Sequence, residues 1–351
     1  MNPPKDPANK QPRNYSRLKL LAVLLTLFGI GLFGYFIYAV GFYEIVEGVD
    51  RFGIAGFAVI LMLYFLRLMT RAQAWKMCVH EPDRLHLRDT VPAVIIGEAL
   101  SSTIPLGILI SGTSKAIAVR KKIPLVAGLS SVATENLFYS LVTSLLLIAG
   151  AAVMLRTYAV DEGLIFTVNV LIATVTILLL LGILMVVRQW HFASAFVNWL
   201  YEKGFLRRLL ETNRHEVRRF EDLIYSFYRK YPRRFLPVCF LEVLYHALGI
   251  AEIWYILSRI SDAIPSLLNA FLLETVSRLV TIIFKLVPFV IGVDEAGAQF
   301  VGETVSLGAG VAVTLAIIRK GRILFWTAVG VILIIKRGLS IREISAALDG
   351  Q

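Results

Sequence analysis

The segment richest in groups able to act on a ligand is ETVSRLVTIIFKLVPFVIGVDEAGAQFVGE, Glu274–Glu303. It opens as an apolar run suited to a membrane, yet Glu274, Arg278 and Lys285 lie within that run. It then breaks at Pro288, crosses Gly292, and presents Asp294 and Glu295 before turning apolar again. Ionised groups at bilayer depth are costly, so they face one another, a water-filled cavity or a substrate. Proline and glycine inside such a segment suggest a broken helix, tolerated only where protein or a cavity covers the freed backbone groups. Cations held there would attract a phosphate, helped by helix N-termini exposed at the break. The carboxylates would hold those cations, contact a cationic headgroup or carry coupling protons. The competing reading is an ion-paired structural joint.

A second segment has the same character. Pro92–Gly112, PAVIIGEALSSTIPLGILISG, is apolar but carries Gly97, Glu98, Ser101, Ser102, Thr103, Pro105 and Gly107. Each apolar half is too short to cross a bilayer, so a re-entrant hairpin or discontinuous helix fits better than a simple span. Lys115 follows it, and Glu135, Asn136 and Tyr139 sit near the middle of the next apolar block. Further on, Glu242 and His246 are four apart and share one helical face. One histidine beside one carboxylate is a weak metal signal, and a polar core pair or proton relay fits better. The two broken segments suggest an internal repeat, although Glu98 precedes Pro105, and Glu274 precedes Pro288, by unequal spacings. Broken segments in corresponding halves point to a central transport site.

The elements that must position these groups are membrane helices. The chain has 351 residues, 57% of them hydrophobic and 17% charged, with a mean hydropathy of +0.71. Apolar residues in long blocks indicate an all-α polytopic membrane protein rather than a soluble domain or a β-barrel. We expect about seven to eight spanning helices plus the proline- and glycine-broken segments. The net charge of +11 does not argue for nucleic acid, because the basic residues gather in the N-terminal tail and between apolar blocks. The positive-inside rule makes those stretches cytoplasmic, against anionic lipid headgroups. Cys78 and Cys239 form no motif, and neither a metal nor another cofactor is expected.

In order, the expected layout is a basic cytoplasmic tail, 1–19, with no cleavable leader, and a first membrane half, 20–187. A basic amphipathic linker, 188–234, precedes a second membrane half, 235–337, and a tail, 338–351. A first span is expected over Leu20–Phe42, then an acidic outer loop with Glu44, Glu47 and Asp50, then a span ending near Arg67, which would snorkel to the interface. Within the linker Trp190, Phe192, Phe196, Trp199 and Tyr201 alternate with Arg and Lys, as in helices lying on the inner membrane surface. Leu307–Ile335 is either two short spans joined at Arg319–Arg322 or one long bent element with those basic residues inside.

The combination resembles the membrane region of lysylphosphatidylglycerol synthases, within a broad family of stand-alone flippase-like membrane proteins. The resemblance covers roughly Leu20–Arg337 and rests on PLGILISGTSKAIAVRKK, on LLETVSRL and on PFVIGVDEAG. It places the family's late arginine and turn on Arg278, Pro288, Gly292 and Glu295. It places the early pattern on Pro105, Gly107 and Lys115, followed by an acid at Glu135. Where relatives carry an arginine beside that acid, this chain has Asn136. The resemblance implies a lipid translocase in a bacterial-type cytoplasmic membrane, moving an anionic phospholipid or lipid-linked phosphate headgroup. A separately encoded lipid-modifying enzyme is a further expected partner. The soluble aminoacyl-transferase domain of bifunctional relatives is not expected here, so the chain is not expected to be an enzyme. The rivals are an intramembrane lipid-modifying enzyme, a secondary transporter of a small solute and a structural membrane partner.

Overall fold

The computed structural model describes residues 30–336, except 32, 36, 39–40, 82–83, 104–106, 159–161, 204–206, 263, 265 and 285–286. Most of the first expected span, Pro105 and Lys285 therefore lie outside the described residues. Those described form helices and no strand. Helix α1 runs Phe42–Cys78, α2 Leu87–Thr103, α3 Gly107–Ala118, α4 Leu125–Thr157 and α5 Glu162–Val187. Two amphipathic helices, α6 (Phe192–Glu202) and α7 (Arg207–Lys230), lead through a short 3-10 turn into α8, Phe235–Ile260. Then come α9 (Leu267–Ile283), a 3-10 turn at Pro288–Val290, α10 (Val293–Thr304) and α11 (Ala309–Lys336).

Among the described residues four helical stretches are long and apolar enough to cross a membrane: α1, α4, most of α5, and α8 with the turn before it. This is fewer than the seven to eight expected; most of the first expected span lies outside the described residues, and two physical features bear on the rest. The broken segments fold as pairs of short helices, of 17 and 12 residues in each half. At 1.5 Å per residue these rise about 25 and 18 Å, less than a hydrocarbon core of about 30 Å. In addition, α11 carries Arg319, Lys320 and Arg322 in its middle, so every bilayer-length stretch of this 28-residue helix includes these three charges.

Several local expectations are corrected. Glu44, Glu47 and Asp50 belong to the start of α1 and not to a loop, because the helix continues through a kink at Gly53, whose φ of 68° suits glycine. Arg67 does not snorkel: α1 runs on to Cys78, so the guanidinium lies well inside the helix and is fully buried. Of the two readings of Leu307–Ile335, the single element holds, with its basic residues turned inward.

The lengths expose a repeat. A long helix, a 17-residue helix, a 12-residue helix and another long helix occur in that order twice, as α1–α4 and as α8–α11. The halves interlock: α1 packs along α8, while α2 lies on α11 and α9 on α4. Glycines permit both of the latter crossings. A Cβ on Gly330 of α11 would come within 2.4 Å of Ala99 Cβ in α2, and one on Gly150 of α4 within 2.5 Å of Thr275 in α9. An apolar cluster of Ile60, Ile253, Ile256, Leu273 and Leu315 ties α1, α8, α9 and α11 together. Helix α5 stands outside this body, apolar on every side and exposing Phe166, Leu178 and Leu181, as a helix solvated by lipid does.

The linker helices are locked to each other and to the bundle. Glu221 of α7 accepts from the backbone N–H groups of Ala193 and Ser194 at 2.8 and 3.2 Å, capping α6. Tyr231 donates to the His80 carbonyl, and Arg234 to that of Val79, at the end of α1. Trp190, Phe192, Phe196 and Trp199 stay exposed on the resulting surface.

Candidate functional site: a buried arginine network

Helix α1 presents Arg67 and Arg71 one turn apart on its inner face, and each organises a cluster. Arg67 spans two carboxylates on the second half, with Nη2 at 3.1 Å from Glu274 Oε1 and Nη1 at 3.4 Å from Glu252 Oε2. Glu274 is also reached by Arg319 Nη2 at 3.2 Å and by Arg278 Nε at 2.9 Å. Glu252 is also gripped by Arg322, while Arg319 Nε stands 4.0 Å away. Four guanidinium groups thus share two carboxylates, all of them buried except for a small exposed part of Arg278. Among the described residues none of the four Nε groups has a hydrogen-bond partner, that of Arg278 lying close to Glu274 without bonding geometry. This cluster holds more positive charge than its own acids balance.

The second cluster surrounds Arg71. Its Nε donates to Glu135 at 2.9 Å, Nη1 to Glu98 at 3.1 Å and Nη2 to the Asn136 carbonyl oxygen at 3.3 Å. Asn136, next to Glu135 on α4, serves there as a neutral acceptor. Lys115 is buried beside them, its stem running over Gly97; a Cβ there would lie 3.0 Å from Lys115 Cε.

Tyrosine faces join the clusters. Tyr245 of α8 lies under Arg67 at 4.4 Å, with Arg71 at 5.9 Å and Arg278 at 6.0 Å. Arg322 sits 4.0 Å over Tyr64, and Arg71 4.5 Å over Tyr139. Such contacts offset part of the cost of a cation withdrawn from water.

The break in the second half forms a third cluster. Gly292, at φ 80°, opens α10, and Glu295 Oε2 accepts from its backbone N–H at 2.7 Å. Lys320 Nζ lies 3.1 Å from Glu295, donates to the Val290 carbonyl at 3.1 Å and stands 4.0 Å from Asp294. Phe289 and Val290, both at positive φ, make the turn strained, and Lys320 pins it. Ser277 couples this cluster to the first, accepting from Arg319 Nη1 and donating to Asp294, both at 3.0 Å.

Of the residues singled out in the sequence, Glu274 and Arg278 meet directly, as do Glu98 and Glu135 through Arg71. Glu295 pairs with Lys320 rather than with Arg278, because α10 departs from the Gly292 turn toward α11. Asp294 reaches the Arg278 neighbourhood only through Ser277 and Arg319. Glu242 and His246 do not bond to each other: His246 Nε2 meets Thr143 Oγ1 at 3.0 Å, and neither Glu242 oxygen has a partner. The sequence reading missed Arg67, Arg71, Glu252, Arg319, Lys320 and Arg322 as members of this site. Their signal was present as charges at helical spacing inside apolar blocks, Arg67 with Arg71 and Arg319 with Arg322. Among the described residues no group of three or more histidine, cysteine or acidic side chains is arranged to hold a metal.

The repeat explains how the clusters arise. Glu98 stands as far from the start of α2 as Arg278 does from the start of α9, and Glu135 in α4 corresponds likewise to Arg319 in α11. The first half sets acids at places where the second half sets arginines.

Against known families, the one described as the lysylphosphatidylglycerol synthase TM region matches residues 19–330, which include every residue of the three clusters. The chain belongs to that family. Neither comparison with curated proteins nor comparison with solved structures gives a match. The matched part of the lysylphosphatidylglycerol synthases is their membrane region. Family and apolar helices make the chain a multi-pass membrane protein, with a fold consistent with a flippase-like membrane transporter.

Proposed function

We propose that the chain is a lipid translocase that passes the headgroup of an anionic phospholipid or lipid-linked phosphate between the two halves, its acyl tails remaining in the bilayer. The observation that carries this reading is the arginine network, where four guanidinium groups face two carboxylates and none of their four Nε donors makes a hydrogen bond among the described residues. An anion entering beside Arg278, the arginine with an exposed part, would supply the missing negative charge and accept from a fork-shaped donor. The two broken helix pairs are re-entrant in this reading, giving the headgroup a polar path beside lipid-facing helices. Partners are membrane lipids and a separately encoded lipid-modifying enzyme, and the N-terminus and the α6–α7 linker are cytoplasmic.

The test is reconstitution into phosphatidylcholine vesicles carrying a trace of fluorescent phosphatidylglycerol or a zwitterionic analogue, with chemical quenching from outside. Protein-dependent loss of protection for the anionic probe, reduced in a folded Arg278→Gln variant, is expected. Equal rates with and without protein would refute the reading, and chemical conversion of the probe would favour an enzyme.

A further inference from the structure

Among the described residues, one buried acid of the core stands without an explanation. Glu242, on α8, is fully buried, and neither carboxylate oxygen has a hydrogen-bond partner among the described residues. The other buried acids of the core all have partners: Glu274 and Glu252 have arginines, Glu135 has Arg71, and Glu295 has Lys320 and a backbone N–H. The charged groups that act on Glu242 are Arg71 of α1, Lys115 of α3 and Glu135 of α4. The thiols Cys239, on its own helix, and Cys78, at the end of α1, also lie within its electrostatic reach. One turn along α8 on the same face is His246, whose Nδ1 is also without a partner.

A carboxylate held in this place without a hydrogen bond would keep the full cost of lost hydration, whereas a carboxyl that carries a proton avoids most of it. Charge counting gives the proton a consequence. The three clusters contain seven cationic side chains and six acids, and Glu242 is the seventh acid. With Glu242 ionised these charges balance; with Glu242 protonated these described groups carry one positive charge in excess. We propose that Glu242 is a proton-binding site, and that its protonation creates the vacancy for one negative charge that the anionic headgroup fills. The coupling rests on the translocase reading above, whereas the proton site stands on burial and missing partners alone. One proton and one anionic headgroup enter from the same side and leave together on the other, so no net charge moves. Arg71, bonded to Glu135 and lying under Tyr245 together with Arg67 and Arg278, connects the proton site to the arginine network.

Two measurements test this, and they separate its failure from that of the function. The first is infrared spectroscopy of the full chain at neutral pH, in which a protonated carboxyl band sensitive to deuterium should be present and should vanish in Glu242→Gln. Absence of that band in the unmodified protein would overturn the proton site whether or not lipid moves. The second is redistribution of fluorescent phosphatidylglycerol in phosphatidylcholine vesicles under an imposed pH gradient. The probe should gather several-fold in the leaflet facing the alkaline side, and Glu242→Gln should retain scrambling without that bias, with Glu242→Asp restoring part of it. A gradient response unchanged in folded Glu242→Gln, or scrambling indifferent to the gradient in the unmodified protein, would overturn the coupling. If the unmodified protein moves no lipid, the translocase reading and the coupling fall together, and the infrared band decides whether the proton site survives.

Discussion

Arg67 and Arg278 share the carboxylate of Glu274, yet their surroundings ask different things of them. Arg67 is fully buried, bridges Glu274 and Glu252 and lies on the face of Tyr245. Removing it deletes two buried hydrogen bonds to carboxylates and the contact with Tyr245, and hydrogen bonds to charged groups contribute about 1.5–3 kcal/mol each. Arg67→Gln should therefore lower expression and melting temperature in detergent. Arg278 is the partly exposed member, at 12% of its side chain, and Glu274 retains Arg67 and Arg319 without it. Arg278→Gln should leave thermal stability near normal while weakening anionic-lipid flipping, and Arg278→Lys should recover only part of the loss, since an ammonium lacks the fork of donors. Parallel melting and flipping assays check both, and a melting loss in Arg278→Gln equal to that of Arg67→Gln would make the two arginines alike in role. Glu295 follows the structural pattern: it closes the first turn of α10 and neutralises Lys320 in a site it shares with the Val290 carbonyl. Glu295→Gln should lower the melting temperature before it alters transport at fixed folded fraction, as a series of folded-fraction-normalised flipping rates would show. Residue types at this scale were readable in the sequence, because a charge inside an apolar run is visible without a structure. Their partners were not, since Arg67 to Glu274 and Arg322 to Glu252 are contacts between distant helices. Arg67 misled because the α1 helix was expected to end close after it.

At the scale of elements, the sequence revealed two broken segments and suggested a repeat, but not how their residues correspond. Measuring from proline hid the correspondence, because the prolines sit at different places in the two breaks while the helices on either side keep equal lengths. Once aligned by helix starts, Glu98 answers to Arg278 and Glu135 to Arg319, and the opposite signs make the interlocked halves complementary. The interlock depends on contact distance, a property that hydropathy does not encode. Gly330 lets α11 settle on Ala99 and the Ile95 carbonyl of α2, with a hypothetical Cβ only 3.0 Å from that oxygen. Gly330→Leu forces the helices apart and should destabilise by about 1–3 kcal/mol, as overpacking does. Gly182, on lipid-facing α5 with nothing within 4 Å of its Cβ direction, is the control. Gly182→Leu should leave the melting temperature unchanged or slightly raised, through better helix propensity and added apolar surface. A comparable loss in both variants would mean that the α2–α11 crossing contributes little.

For the whole molecule, the loop charges and the repeat must agree on one orientation in the membrane. The linker with α6 and α7 is basic, exposes Trp190, Phe192, Phe196 and Trp199, and is fastened to the end of α1 through His80 and Val79. In the proposed orientation, which follows the positive-inside rule, that end of α1 is cytoplasmic and its acidic start at Glu44–Asp50 faces outward. Helix α8 leaves the same linker, so it runs opposite to α1. The two repeats are then inverted in the membrane, and their hairpins must open to opposite sides, the α2–α3 pair inward and the α9–α10 pair outward. Charge bias alone gives the loops, and the repeat alone gives the relation of the hairpins; each can be wrong without the other. Single cysteines at Glu47, at the exposed Asn198 of α6, at Thr103 and at Phe289, in a background lacking Cys78 and Cys239, separate them. With a membrane-impermeant maleimide on intact cells, Glu47→Cys should label and Asn198→Cys should not, the latter reacting only after permeabilisation. Thr103→Cys and Phe289→Cys, at the breaks of the two hairpins, should be reached through opposite faces when reagent is supplied to oriented vesicles from one side at a time. Labelling of Asn198→Cys in intact cells would reverse the orientation but keep the repeat inverted. Access to both breaks from one face would leave the orientation standing and remove the inverted relation, and with it the alternating path on which translocation between the halves depends.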